Sequence, residues 1–219
     1  MSSVAAAAHA PPAEREVLGV SNGKLAMWLF LGSDGMSFMG LIATYLALRI
    51  GNWSNWPDPT HILSIYITAA NTFVLICSSV TMVKAFVAAQ AGDVGGLKKW
   101  LALTVLGGLI FLGVQVFEYS SLIHEGIKLW DTAGRPMTEW WEGHIKEAML
   151  GKSPLFMATF YVCTCFHGCH VFSGVVYLGV VLIGVLRGRW TVNRIEIAGL
   201  YWHFIDLVWI VIFTIIYLF

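Results

Sequence analysis

Acidic and imidazole side chains lie inside stretches of this sequence that are otherwise apolar. The last stretch, EIAGLYWHFIDLVWIVIFTIIYLF, is long enough to cross a bilayer and carries Glu196, His203 and Asp206. Ionisable groups at bilayer depth cost free energy unless they meet a partner on another helix or face a wet cavity. Such groups can relay protons, ligate a metal or haem, or hold helices together by hydrogen bonds.

Glu196 and His203 are seven residues apart and share one face of a helix, because each residue turns the chain by about 100°. Asp206 lies one turn past His203, on the neighbouring edge of that face. The opposite side carries Leu, Ile, Val and Phe, which suit lipid or tight packing. The pattern therefore predicts a polar stripe that faces the inside of a helical bundle.

A second cluster, CTCFHGCH, occupies residues 163–170. Cys163, His167 and His170 lie at i, i+4 and i+7 on one helix face, and Cys165 and Cys169 lie on another. A metal needs three or four converging ligands, and a haem needs an imidazole on either side. One helix face rarely converges three ligands, and Cys is also a common small residue of apolar helices. We interpret the histidines as bonding carboxylates and backbone across the bundle, with metal or haem ligation as the alternative.

The three earlier apolar runs also contain polar side chains. Asp34 lies ~15 Å into the first run and has no basic neighbour there. It is either a protonated or hydrogen-bonded carboxyl that holds helices together or a proton-relay site. In the second run, small polar residues follow one stripe that is typical of interhelical hydrogen bonds; they are Asn71, Ser78 and Thr81, with Thr72 and Ser79 beside them.

In the third run, Gln115 and Glu118 are one turn apart and Tyr119 follows. We predict that Glu118 pairs with a histidine of the fourth run. Small residues let a neighbouring helix approach closely, and this run supplies Gly107, Gly108 and Gly113.

The composition excludes a soluble domain. The chain has 219 residues, of which 58% are hydrophobic and 12% are charged, whereas a soluble chain carries about twice that charged fraction. A net charge of zero gives no basic footprint for nucleic acid. The four cysteines all lie in apolar runs, which argues against a secreted disulfide framework. The N-terminal segment lacks the basic region and apolar core of a signal peptide.

Five apolar runs bounded by charged or turn residues predict an all-α integral membrane protein, a bundle of five transmembrane helices. Residues 1–23 are expected to form a disordered or extended cytoplasmic tail, and residues 24–219 the membrane domain. The predicted helices cover about residues 25–48, 62–89, 100–123, 154–186 and 195–219. Within the long loop before the fourth helix, MTEWWEGHIKEAML is either a short helix on the membrane surface or a loop with an interfacial Trp pair.

Lysine and arginine set the expected orientation. Short segments on one side carry Arg15, Lys24, Lys84, Lys98, Lys99, Arg187, Arg189 and Arg194, and the other side carries Arg49, Lys128, Arg135, Lys146 and Lys152. The positive-inside rule then predicts a cytoplasmic N-terminus and an outer Phe219.

Several of these segments together resemble subunit III of the haem-copper oxidases, the cytochrome c and quinol oxidases. Glu196, then YWHFID at 201–206 and Trp209 resemble the last helix of that family, with Ile205 where Val is usual. HGCHVFSG at 167–174, FLGVQVFEY at 111–119 and NTFVLICSSVT at 71–81 resemble its other helices, in order. The resemblance runs from about Lys24 to the C-terminus.

The resemblance implies a non-redox accessory subunit of a proton-pumping respiratory terminal oxidase in the bacterial cytoplasmic membrane. Such a subunit binds no haem and no copper, which belong to partner subunits, and is expected to carry phospholipids. Its expected partners are the catalytic subunit I, other oxidase subunits and a respiratory supercomplex. It is expected to stabilise subunit I and to support proton uptake and access of dioxygen or lipid. The residues that carry over form a buried polar network without catalytic, cofactor or metal ligands: Asp34, Asn71, Gln115, Glu118, His167, His170, Glu196, His203 and Asp206.

Two features depart from the family pattern. Five helices correspond to its short form, without the two N-terminal helices that border a lipid-filled cleft in the long form; a neighbouring subunit supplies them, or the cleft is absent. Asp34 stands where a Glu is usual, so any hydrogen bond it makes is directed differently.

The rival hypotheses are a haem-binding membrane anchor, an accessory subunit of a nitric-oxide reductase, and a small proton or solute transporter, although the broken helices and paired repeats of transporters are not seen.

Overall fold

The computed structural model describes residues 16–17, 20–124, 153 and 155–218 of the chain. The described part is almost entirely helical, which confirms the all-α prediction, and five of its helices are long and apolar enough to cross a membrane. The elements in order are β1 (Glu16–Val17), β2 (Val20–Ser21), α1 (Asn22–Gly51), α2 (Ile65–Gln90), α3 (Val94–His124), α4 (Leu155–Leu186) and α5 (Val192–Phe213), followed by a π-helical turn at Thr214–Leu218.

Capping residues set the helix ends a few positions away from the limits of the apolar runs. The Ser21 side chain accepts a hydrogen bond from the Lys24 backbone N–H, so α1 begins at Asn22. Thr191 does the same for the Arg194 N–H at the start of α5. In contrast, α2 starts later than predicted, because two 3-10 turns, Trp53–Asn55 and Pro59–His61, occupy the preceding segment.

The α2–α3 and α4–α5 connections are short and turn at glycines with positive φ. Gly92 has φ of 73° and Gly188 has φ of 70°, a conformation that favours glycine. The N–H groups of Gly92 and Asp93 bond back to the carbonyls of Ala89 and Ala88, which is the Schellman pattern. Each pair of helices therefore runs antiparallel with little chain between them.

Four helices form an open arc around α5. The order of packing is α1 against α4, α4 against α3, and α3 against α2, while α5 packs against α1, α4 and α2. Among these described helices, α1 and α2 make no extensive contact with each other. The arc is therefore open between α1 and α2, where one side of α5 is uncovered.

Two glycines of α3 permit the closest helix approaches. A Cβ on Gly107 would lie 2.7 Å from the Ser78 Cβ, and one on Gly108 would lie 2.5 Å from Cη2 of Trp202. Gly113, which we expected to do the same, has no atom within 4 Å of such a Cβ. Only the first two glycines face the bundle interior.

The division into a tail of residues 1–23 and a membrane domain from residue 24 stays a prediction. Most of that tail, and the loop segment MTEWWEGHIKEAML, lie outside the described residues. At the end of the tail, β1 pairs antiparallel with β2, and Ser21 leads directly into α1.

Candidate functional site

Asp34 and His170 form an intramembrane pair that joins α1 to α4. The Nε2 atom of His170 lies 3.2 Å from Oδ1 of Asp34, and only 16% and 9% of the two side chains are exposed. The Nδ1 atom of His170 lies 2.8 Å from the carbonyl oxygen of Phe166, so Nδ1 carries a hydrogen. The geometry gives Asp34 the interhelical bond that was one of its two predicted roles.

Glu118 is held by two hydroxyl groups rather than by a histidine. Its Oε1 accepts a hydrogen bond from Thr68 of α2 at 3.1 Å, and its Oε2 accepts one from Tyr217 at 3.1 Å. The prediction that Glu118 pairs with a histidine of the fourth helix is wrong. Hydroxyl donors can satisfy a buried carboxyl group without bringing a second charged group out of water.

Asp206 faces α2. Its Oδ2 accepts a hydrogen bond from the Ser79 hydroxyl at 2.6 Å, while its Oδ1 is buried with no hydrogen-bond partner among the described residues. Asp206 is thus an interhelical contact between α5 and α2.

Two tryptophans of α5 donate to the hydroxyl stripe of α2. The indole Nε1 of Trp202 bonds Ser78 at 3.1 Å, and that of Trp209 bonds Thr72 at 2.9 Å. Thr81 of the same stripe bonds Thr104 of α3 at 2.8 Å. The stripe makes the interhelical hydrogen bonds that its spacing predicts.

Asn71 and Gln115 are buried in the same region. The amide nitrogen of Asn71 donates to the carbonyl oxygen of Phe111 at 3.2 Å. The amide nitrogen of Gln115 has no hydrogen-bond partner among the described residues, and neither has the amide oxygen of Asn71. Tyr119, one turn beyond Gln115, donates to Thr164 of α4 at 2.7 Å.

His167 is enclosed by aromatic rings. It is fully buried, and neither ring nitrogen has a hydrogen-bond partner in the described part of the chain. Its ring stacks on Trp209, with centroids 4.7 Å apart, and meets the edge of Phe111 at 5.8 Å. The predicted bond from His167 to a carboxylate is wrong, because the carboxyl groups bond other donors.

The stripe of Glu196 and His203 does not face inward as predicted. Glu196 pairs with Lys24 of α1, and both side chains remain partly exposed. His203 is partly exposed and has no hydrogen bond to any described residue. The inward face of α5 is instead built from Trp202 and Trp209, whose large apolar areas gain most from burial.

The predicted polar residues are thus divided among separate contacts rather than joined in one network. Asp34 with His170, Glu118 with Thr68 and Tyr217, Asp206 with Ser79, and Glu196 with Lys24 are four distinct pairings. The donors among these contacts were not predicted from the sequence; they are Trp202, Trp209, Thr68 and Tyr217. The seven-residue spacing of Trp202 and Trp209, beside a hydroxyl stripe on α2, was the available signal.

The cysteine and histidine cluster does not form a metal-ligand group in the described residues. Within the described ranges, no three or more His, Cys, Asp or Glu side chains come close enough to hold a metal ion. Cys163 is buried, whereas Cys169 on the other face of α4 is exposed. His170, the most accessible imidazole of this cluster, directs its Nε2 at Asp34.

The amino-acid sequence is similar to those of known proteins. Residues 140–219 match a family described as Cytochrome c oxidase subunit III. The chain is 34% identical over 198 residues to cytochrome c oxidase subunit 3 of Thermostichus vulcanus, covering 89% of this chain and 86% of that protein. It is 33% identical over 209 residues to cytochrome c oxidase subunit 3 of Bacillus subtilis (strain 168), covering 94% and 90%. The corresponding protein of Bacillus sp. (strain PS3) is 32% identical over 212 residues, covering 95% and 91%.

Proposed function

We propose that this chain, which belongs to the cytochrome c oxidase subunit III family, is a non-catalytic and non-redox subunit of a bacterial cytochrome c oxidase. It is an integral membrane protein that packs against its partner subunits and stabilises them. It also supports the access of dioxygen or lipid to them. In this proposal haem and copper belong to the partner subunits, and this chain binds phospholipids.

The proposal rests on the observation that the buried carboxyl groups and His170 form hydrogen bonds within this chain. Asp34 and His170 bond each other, Glu118 bonds two hydroxyl groups, and Asp206 bonds Ser79. Interhelical hydrogen bonds of this kind are each worth about 0.6 kcal/mol on average and up to ~1.7. Such side chains stabilise a bundle by joining its helices.

The catalytic subunit I is the partner that we propose. The exposed sides of these helices are apolar at bilayer depth, and the relatives are named as third subunits of an oxidase. Support of proton uptake and of dioxygen or lipid access to subunit I follows from the same resemblance. Lysine and arginine counts favour a cytoplasmic N-terminus, so Lys24 and Glu196 would lie near the cytoplasmic surface.

A haem-binding membrane anchor has less support. It needs two imidazoles on different helices facing each other at one depth. His167 and His170 both lie on α4, one enclosed by rings and the other bonded to Asp34, and His203 lies on an exposed side of α5. The names of the relatives likewise favour an oxidase over a nitric-oxide reductase.

Deletion of this chain from the oxidase tests the proposal. We expect the purified complex without it to reduce dioxygen at close to the normal rate in the first turnovers and to lose activity as turnover continues. The measurement is oxygen consumption recorded from the first seconds, with the wild-type complex prepared in parallel as the control. Complete loss of activity from the start would contradict a supporting role.

A further inference from the structure

One side of α5 is left uncovered in the opening between α1 and α2. Residues that contact α1, Ile197 and Phe204, lie on one edge of this side, and residues that contact α2, Gly199 and Asp206, lie on the other. Between those edges runs a row of residues spaced alternately four and three apart, which we call the α5 seam: Glu196, Leu200, His203, Leu207, Ile210 and Thr214.

The spacing of the α5 seam is that of a helix-packing surface. Rows at alternating three- and four-residue intervals stay on one side of a helix and accept a second helix crossing at about 20°. Leu207 is 62% exposed and Ile210 is 41% exposed, so the centre of the seam has no cover from the described residues. α1 and α2 flank the seam on its two sides.

His203 makes the seam unsuited to acyl chains. It lies roughly 16 Å along α5 from Val192, which is mid-bilayer depth for a spanning helix. Its imidazole is partly exposed and interacts electrostatically with the Asp206 carboxyl group one turn along the same helix, without a hydrogen bond to a described residue. Polar side chains at this depth nearly always face protein or a wet cavity, because lipid tails offer neither donor nor acceptor.

The polar groups of the seam also specify what its occupant must carry. A neutral imidazole offers one donor and one acceptor. The complementary side chain is a hydroxyl, an amide or an indole at the depth of His203.

We propose that the α5 seam receives a transmembrane helix of another oxidase subunit, with a hydrogen-bonding side chain of that helix facing His203. The inference rests on the proposed function, because it takes from it that the chain assembles with other oxidase subunits. A helix spans the bilayer with its own backbone hydrogen bonds satisfied and brings a polar side chain to mid-bilayer depth. The seam is thus the surface where the chain completes its packing with a partner.

Site-specific photocross-linking in the intact oxidase tests this proposal. A benzophenone amino acid is introduced at Leu207 or Ile210, and at Phe117 of α3 or Phe172 of α4 as controls, which are 62% and 61% exposed on other sides of the bundle. We expect the seam positions to form adducts with one other oxidase subunit, in severalfold higher yield than the controls form with that subunit. Adducts only with lipid, adducts only with a second copy of this chain, or equal yields at the control positions would each overturn the proposal.

Two substitutions at His203 give a second readout. His203→Leu removes the polar contact and is expected to speed loss of this chain from the purified complex by roughly three- to twentyfold. His203→Gln, which keeps a donor and an acceptor, should retain most of the association. If the His203→Leu and His203→Gln chains stay in the purified complex equally well, the proposed hydrogen bond to His203 is wrong. If the wild-type chain is absent from the purified oxidase, the proposed function fails as well; if it is present but the seam touches only lipid, the seam proposal fails alone.

Discussion

The Nε2 atom of His170 on α4 lies 3.2 Å from Oδ1 of Asp34 on α1, inside the membrane-spanning part of the bundle. α1 is the least enclosed of the five helices. This pair and the ion pair between Lys24 and Glu196 are two of its polar attachments to the bundle. The first prediction follows from this attachment.

Asp34→Leu should destabilise the bundle by about 1–2 kcal/mol, because it leaves the Nε2 atom of His170 without a partner in an apolar setting. Asp34→Asn keeps a hydrogen-bonding side chain and should cost less. Unfolding of the purified protein in lipid-detergent micelles measures both changes. A relay function for Asp34 would show a different pattern, in which Asp34→Asn leaves stability unchanged and abolishes proton translocation.

The same substitution should have a smaller effect at His167 than at His170, the two histidines of α4. His167→Leu removes a buried polar group that has no hydrogen bond, so the lost stacking on Trp209 is offset and stability should change by less than about 1 kcal/mol. His170→Leu leaves Asp34 unpaired and should lower stability by about 1–2 kcal/mol. Unfolding measured under identical conditions compares them. A larger loss for His167→Leu would mean that His167 has a partner outside the described residues.

Tyr217 and Glu118 should be energetically coupled. Tyr217→Phe removes the hydroxyl that donates to Oε2 of Glu118 at 3.1 Å and should cost about 1 kcal/mol. Tyr66→Phe is the matched control, because Tyr66 is 93% exposed, and should have no effect. In a double-mutant cycle, Glu118→Gln with Tyr217→Phe should cost less than the sum of the single changes. Additive losses would count against the contact.

The close approach at Gly108 gives a steric prediction. Gly108→Ala would place a Cβ 2.5 Å from Cη2 of Trp202 and 2.6 Å from Cγ2 of Val175, and should destabilise by about 1–3 kcal/mol. Gly113→Ala, five residues along the same helix, meets nothing within 4 Å and should be neutral or slightly stabilising, since Ala favours a helix over Gly. The difference in unfolding free energy between the two variants is the measurement. Equal losses of stability in the two variants would contradict the close packing of Trp202 against Gly108.

Hydropathy was sufficient to predict the five helices, because a run of apolar residues long enough to span a bilayer has few alternatives to a helix. The ends of the helices depended on local chemistry that hydropathy does not contain. Ser21 and Thr191 cap α1 and α5 through their side chains, and the turns around Pro57 and Pro59 delay α2. A Ser or Thr in a sequence can be recognised as a helix cap only when the approximate start of the helix is already known.

The direction in which α5 faces could not be predicted from periodicity. Helical spacing correctly placed Glu196 and His203 on one side of the helix, but it gives no information about which side turns inward. The inward side is set by the packing of Trp202 against Gly108 and of Trp209 against His167. The same limit explains the error at Glu118, whose donors depend on the rotation of α2 and on the π-helical turn that contains Tyr217.

The haem and copper content of the oxidase with and without this chain is the most direct test of the central claim, which is that the chain supports the complex by packing and holds no redox centre. The account predicts the same haem and copper per catalytic subunit in the intact and the depleted complex, and no Soret absorption from the isolated chain. Loss of a haem or a copper together with the chain, or a haem spectrum from the chain alone, would contradict it.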